Sequence, residues 1–362
     1  MMDDRQHRID RHLAFWKQSP VDRPLLGFRI GDYLFANKFE AARPLLQAGQ
    51  TITPDIIIVN EFLADYDRMY RDSEATGQDA FWTADPFIAI PWMEAILGCQ
   101  IRASEASFTS EPWLTSLDNL HLVKLDEAHN PWLAKYLEFV QKLTEHSQGR
   151  YPVSQPIMRG TSDMMGALRG QTEFVFDLVD RPDQVRQFGQ NVTEIFLRVV
   201  QLHRETTTTF QGGYAMGFYH LWCPGPCIWF QEDLAALISP KFYRKYIFEL
   251  NARICQGYDY TLCHLHPTAF FILDDLLQID ALQVIQINKD IGGPSIEEML
   301  PQFTNVLQTK RLVIWGDLDE AELEVILREL PYTGLYLHIV AETVARARQL
   351  REFIIQSARK GH

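Results

Sequence analysis

No glycine-rich phosphate cradle occurs in this sequence. Neither G-x-G-x-x-G nor G-x-x-x-x-G-K-[ST] follows any apolar run, which weighs against an open nucleotide-binding sheet. No stretch approaches the roughly 20 apolar residues of a membrane span. Low-complexity tracts, charge runs, Pro/Gly/Ser linkers and fixed-period repeats are also missing, so residues 1–362 read as one domain. Cysteine is scarce. The five residues Cys99, Cys223, Cys227, Cys255 and Cys263 are odd in number and irregularly spaced. That excludes a disulfide framework and points to a reducing cytoplasm. The first 18 residues are charged and amphipathic without the apolar core of a signal peptide, and read as a helical extension. Basic residues are outnumbered, 34 Lys and Arg against 47 Asp and Glu, for a formal net charge of -13. Such a surface repels nucleic acid and anionic lipid, so the expected ligand is a small molecule.

What is present is an alternation. Short apolar runs rich in β-branched residues occupy 24–30, 55–62, 152–158, 214–220, 260–266, 281–288, 312–317 and 335–341. Amphipathic helical patterns occupy 131–146, 181–205, 233–258, 295–307, 320–330 and 342–357. Near-continuous apolar runs suit strands covered on both faces, as in a parallel sheet. Eight strands alternating with helices predict a single (β/α)8 TIM barrel, a fold that reaches this length as one unit. The segment 65–127 does not alternate, and is expected to be an excursion packed over the barrel mouth.

In such a barrel, chemistry belongs to polar residues at the ends of strands. That rule selects Arg29, Glu61, Arg159, His220, His264, His266, Asn288, Asp317 and His338. His264 and His266 form an H-x-H pair, and alternate residues of a strand share a face. His338, on the last strand, offers a third imidazole. Three protein donors and an open position suit catalytic zinc. The plainer reading makes one histidine a hydrogen-bonded core residue and the other a loop cap before Pro267. Cys223 and Cys227 enclose a Pro-Gly-Pro turn without a second cysteine pair, so a strand-exit loop explains them better than a zinc site. Glu232 and Asp233 open a helix, where a cap accounts for Asp233. Asp317 is a candidate base, and Arg29 and Arg159 are candidate anion anchors. His220, Tyr219 and Trp222 cluster at the fourth strand and are expected to line the substrate pocket.

These residues carry a resemblance. Arg23-Pro24-Leu25-Leu26-Gly27-Phe28-Arg29, Pro54-Asp55-Ile56, Gly166-Ala167-Leu168-Arg169-Gly170, Glu232-Asp233 and Leu262-Cys263-His264-Leu265-His266-Pro267 together resemble the uroporphyrinogen decarboxylase superfamily along nearly the whole chain. That group holds tetrapyrrole decarboxylases and zinc-dependent methyltransferases that act with corrinoid proteins or thiol coenzymes. The decarboxylases read R-Q-A-G-R-Y where this chain has Arg29-Ile30-Gly31-Asp32-Tyr33, and Asp32 would repel a polycarboxylate. The resemblance sets Asp55 at the aspartate beside the tetrapyrrole nitrogens, giving a metal-free carboxy-lyase reading with Asp55 and Arg29. The methyltransferase branch carries H-x-C and a later cysteine, where His264, His266 and His338 stand here. The resemblance thus implies zinc, a corrinoid methyl donor, free or carried by a corrinoid protein, and a thiol acceptor. A metal-dependent hydrolase is the third reading, since H-x-H is also a ligand pattern there.

Overall fold

The computed structural model describes residues 2–31 and 35–360. Six parallel strands make its main sheet: β1 (Leu25–Ile30), β2 (Cys227–Gln231), β3 (Tyr260–Leu265), β4 (Val284–Asn288), β5 (Arg311–Gly316) and β6 (Leu335–Ala341). Their order is β1-β6-β5-β4-β3-β2, so the first strand lies against the last. Every residue of β4 and of β6 is buried, which explains runs that are apolar throughout rather than alternating. Helices cover the sheet with apolar stripes. In Ile296–Thr309 the buried residues Ile296, Met299, Phe303 and Val306 recur at helical spacing. Ser295 and Glu298 close its first turn as a capping box, and Asp319 and Glu322 do the same for Glu320–Glu329.

Between the two sheet edges, β1 and β2, run two extended segments. The amides of Asp79 and Ala80 donate to Leu26 O, each at 3.0 Å. Ala84 and Val153 then form a parallel bridge, and Gln155 Nε2 donates to Trp229 O of β2 at 2.8 Å. At the opposite end of the strands, the helix Met2–Lys17 is fixed by Trp16, whose indole donates to Trp222 O at 2.7 Å.

Four sequence expectations are corrected. Residues 55–62 are not a strand but a 3-10 turn, Pro54–Ile56, and the start of the helix Val59–Glu74. Val59, Phe62 and Tyr66 are buried at helical spacing, a pattern that outweighs the short run of isoleucines before it. Of 214–220 only Tyr214–Met216 is a strand, and it pairs antiparallel with Leu221–Cys223. His220 has φ +52°, which ends extended structure, so the next parallel strand begins beyond the Pro-Gly-Pro turn at Cys227. The helix expected over 233–258 is split into Leu234–Leu237, Pro240–Tyr246 and Phe248–Cys255, the second restarted by the Ser239 cap. Within 65–127, residues 79–84 belong beside β1 rather than over the mouth, while the hairpin Gln100–Ala103 with Phe108–Glu111 is the excursion proper.

Asp79 holds the first of these connections. Its carboxylate accepts from Arg23 at 2.5 and 2.8 Å and from the Leu26 amide at 3.0 Å, with only 5% of the residue exposed. Burial alone would raise its pKa, but the Arg23 hydrogen bonds and charge outweigh this and hold it low. Its contribution is therefore complete above the unfolded carboxylate pKa and lost as pH falls through the depressed value. Asp79→Ala leaves Arg23 buried without its partner, and should cost about 3–5 kcal/mol in denaturant unfolding at neutral pH. A loss below about 1 kcal/mol would show that the pair does not hold this wall.

Candidate metal centre

β3 ends with His264, buried, and Leu265; His266 follows directly, half-buried. β2 ends at Gln231, and Asp233 lies two residues beyond it. Strands β2 and β3 are in register with Gln231 opposite His264, which sets the two strand exits side by side. One donor atom each from Asp233, His264 and His266 lies within 4.8 Å of the others. Asp233 Oδ1 is 3.5 Å from His264 Nε2 and 3.8 Å from His266 Nε2. With metal–ligand bonds of about 2.0–2.1 Å in a tetrahedron, donors should be about 3.4 Å apart, so the set needs little adjustment. Asp233 Oδ1 is buried and, among the described residues, accepts no hydrogen bond, whereas Oδ2 accepts from Gln231 Nε2 at 2.6 Å.

The hydrogen bonds behind the imidazoles decide which nitrogens are free. Gln286 Oε1 accepts from His264 Nδ1 and, at 2.8 Å, from the Tyr219 hydroxyl. Gln286 is held in turn by its Nε2 donation to Asn288 Oδ1 at 2.9 Å. Asp290 accepts from His266 Nδ1 at 2.8 Å. Both rings therefore carry their proton on Nδ1 and present the Nε2 lone pair toward Asp233. The two rings, 4.7 Å between centroids, stand nearly perpendicular. That crossing overcomes the depth difference of nearly 7 Å expected for alternate strand residues at ~3.3 Å each. These residues suit a divalent zinc-type ion held by two nitrogens and one oxygen.

The set opens on a chamber of about 360 Å³ whose walls include Phe35, Phe218, Tyr219, Trp229 and Trp315. Behind Asp233 lies a more polar chamber of about 400 Å³, lined by Glu94, Asp163 and Arg159. Arg159 faces both. Its backbone is left-handed at φ +66°, and its Nε donates to Glu94 at 2.8 Å. A Cβ on the next residue, Gly160, would collide with the Gln231 carbonyl, so this turn touches β2 backbone to backbone. Asp163 accepts from the amides of Leu234, at 2.7 Å, and Asp233. Burial and then the charge of Asp233 push its pKa to about 7.

The other expected site residues separate into groups. His338, expected as the third ligand, is not in the donor set. It lies three residues below the end of β6, fully buried, stacked on Tyr336 and 5.3 Å from the His220 ring. Burial, then the neighbouring His220 and Arg29, hold it neutral. Among the described residues, neither His338 nitrogen has a hydrogen-bond partner. His220 accepts from the Thr83 amide at 3.0 Å and faces this inner layer rather than the aromatic chamber. Trp222 is bonded to Phe210 O at the far end, in a small apolar cluster with Phe81. Asp55 is exposed on the Pro54–Ile56 turn, lining no chamber described here, and Asp317 is exposed beside β5, along a neighbouring open cleft. Arg29 lies behind the chamber wall, its guanidinium 4.7 Å from the Phe35 ring centre and 4.6 Å from that of Phe218. Burial lowers its pKa to about 10, against the opposing charge of Asp85. Asp32 lies outside the described residues.

Tyr219 and Arg159 are among the residues that line the aromatic chamber. Asp233, Gln286 and Asp290 were not anticipated. A fourth strand at 214–220 makes Asp233 a helix cap; with β2 at Cys227–Gln231 it is a strand-exit residue. Gln286 and Asn288 alternate along β4, a polar period of two inside an apolar run, and that signal was available.

No family model matches the chain, and no curated protein sequence matches it. Among solved structures, it is similar to a methyltransferase from Methanosarcina mazei, with TM-score 0.63 and 15% sequence identity over 97% of each chain. At that identity the likeness is one of fold.

The two imidazoles should titrate apart. Burial lowers the His264 pKa, against the opposing charge of Asp233. Burial also pulls on His266, but its Asp290 hydrogen bond and the Asp233 charge raise it above the usual 6.5. In NMR titration of metal-free protein, His266 should gain its proton first as pH falls and His264 later. Asp290→Asn should lower the His266 value and bring the two together. A reversed order in the wild-type protein would contradict the assigned hydrogen bonds.

Proposed function

We propose that this chain is a zinc-dependent methyltransferase-like enzyme on a single (β/α)8 barrel, moving a methyl group between a corrinoid and a thiol acceptor. In this reading residues 1–362 form one domain, and the segments at 79–84 and 152–155 complete the wall between β1 and β2. The observation that carries it is the convergence of Asp233 Oδ1, His264 Nε2 and His266 Nε2 at the mouth of the aromatic chamber. The fold likeness to a methyltransferase supports it.

Asp233, His264 and His266 would hold the ion, which when bound supplies Lewis acidity that turns a thiol into a nucleophile near neutral pH. The chain's own residues do the rest. Gln286 and Asp290 fix the imidazole tautomers, and such partners are typically worth 10–100-fold in metal affinity. Phe218, Tyr219, Trp229 and Trp315 exclude water around the reacting sulfur. Arg159 presents its guanidinium to the chamber as the anchor for an anionic group of the substrate or donor. Transfer forms a carbon–sulfur bond; the pair from the broken methyl bond stays with the donor, and the thiol proton leaves to solvent. A corrinoid protein is the proposed partner where the donor is not free.

A second reading has an observation of its own. A carboxylate beside two histidines is also the ligand set of zinc hydrolases, so ester or amide cleavage is the alternative chemistry. The metal-free carboxy-lyase reading has less support, since Asp55 is exposed away from the chamber.

Purified protein should contain close to one zinc per chain by elemental analysis. Asp233→Ala, His264→Ala and His266→Ala should each lose it, whereas His338→Ala should keep it. Methylcobalamin mixed with the zinc protein and a thiol should lose its methyl group, followed by absorbance. Protein without bound metal, or metal retained by all three variants, would overturn the proposal. Ester cleavage without methyl transfer would favour the hydrolase.

A further inference from the structure

We infer that the substrate of this site carries an apolar tail, received by a side chamber that abuts the aromatic one. The inference rests on the metal-dependent reading for the substrate's head group only. The side chamber measures about 320 Å³, and Phe35, Ile88, Ile90, Phe108 and Ile157 are its main walls. Phe35, Ile157 and Arg159 line it and the aromatic chamber alike, so the two meet at a common boundary. Ser107 and Arg159 carry its only polar side chains among the described residues. Arg159 stands at the junction, tied through Nε to Glu94.

The side chamber is a product of the excursion. Ile88 and Ile90 come from the chain leading into the helix Trp92–Ile96, and Phe108 opens the second strand of the hairpin Gln100–Ala103 with Phe108–Glu111. Neither element belongs to the main sheet. The chamber is open to solvent, so its apolar side chains face water where a core would supply neighbours. An apolar occupant removes that surface from water. The two chambers together fall within the ~300–1,000 Å³ usual for small-molecule sites, whereas a short polar thiol would leave the second one unused. A charged tail would lose its hydration against these walls with few polar groups to replace it. The substrate class is therefore a thiol, or its methylated counterpart, bearing an alkyl or aryl chain that extends past Phe35 and Ile157. Its head binds with one proton released to solvent, and no oxidant or reductant is involved.

The test uses cobalt(II)-loaded full-length protein and a series of simple thiols, ethanethiol, butanethiol and hexanethiol. A sulfur-to-cobalt charge-transfer band reports head-group binding. Burial of each added methylene should tighten binding by about fourfold along the series. Ala89→Phe and Ala106→Phe, which fill the side chamber from its own lining, should abolish this gain while leaving ethanethiol binding unchanged. A flat series, or an undiminished gain in both variants, overturns the inference and leaves the metal reading intact. Absence of the band with every thiol instead counts against the metal reading. In that event calorimetric titration of metal-free protein with ethanol, butanol and hexanol decides the side chamber. The same chain-length trend, lost in the two variants, supports it, and no trend refutes it.

Discussion

His264 and Gln286 are direct partners in the β3–β4 ladder, and Gln231 of β2 is the partner of His264 on the other side. The donor set depends on this shared register. Side chains repeat every two residues along a strand, so a slip of one residue between β3 and β4 would turn Gln286 away from the imidazole. His264 would then lose the acceptor that fixes its proton on Nδ1. Burial of both strands on both faces prevents such a slip, because either direction would drive polar groups into the helix layer. The precision of the site is therefore supplied by apolar packing remote from it.

The parts of this architecture that the sequence made plain share one property: their pattern is local. β3, β4, β5 and β6 follow apolar runs that need no long-range knowledge, and the H-x-H pair was legible because period two is a property of any strand. Two other segments carry local signals that compete. Ile56-Ile57-Ile58 resembles a strand, but Val59, Phe62 and Tyr66 bury a helical face, and the helix prevailed. At 214–220 the apolar residues are genuine core, yet the left-handed backbone at His220 diverts them into a short antiparallel pair. That single displacement of the fourth strand concealed Asp233 and brought His220 forward in its place. His338 illustrates a different limit: its strand was placed correctly, but depth along a strand decides whether a side chain meets the mouth or the interior.

Charge is distributed to match. The formal charge of -13 is spread over the chain, but near the donor set Glu94, Asp163, Glu232 and Asp233 are gathered within one region and Arg159 is the principal cation facing them. Burial pushes the Glu232 pKa well above the usual carboxylate range, with the Asp163 charge adding to the effect. A bound dication would offset this crowding of acids, since opposite charge stabilises the ionised carboxylates it touches. The same acids make the region an unfavourable place for an anion unless the metal or Arg159 faces it.

Asp233, His264 and His266 all belong to a single strand–helix–strand passage, β2 to β3, and none of them waits for the amino-terminal or carboxy-terminal strand. Loop-closure entropy grows with the length of chain enclosed, so donors this near in sequence meet at small entropic expense. During synthesis they emerge together, well before β5 and β6 exist. The three side chains emerge before Gln286 and Asp290, which orient the rings and arrive only with β4 and the residues after it. Gathering of the three side chains and fixing of their tautomers are thus separate events in time, ordered by the direction of translation.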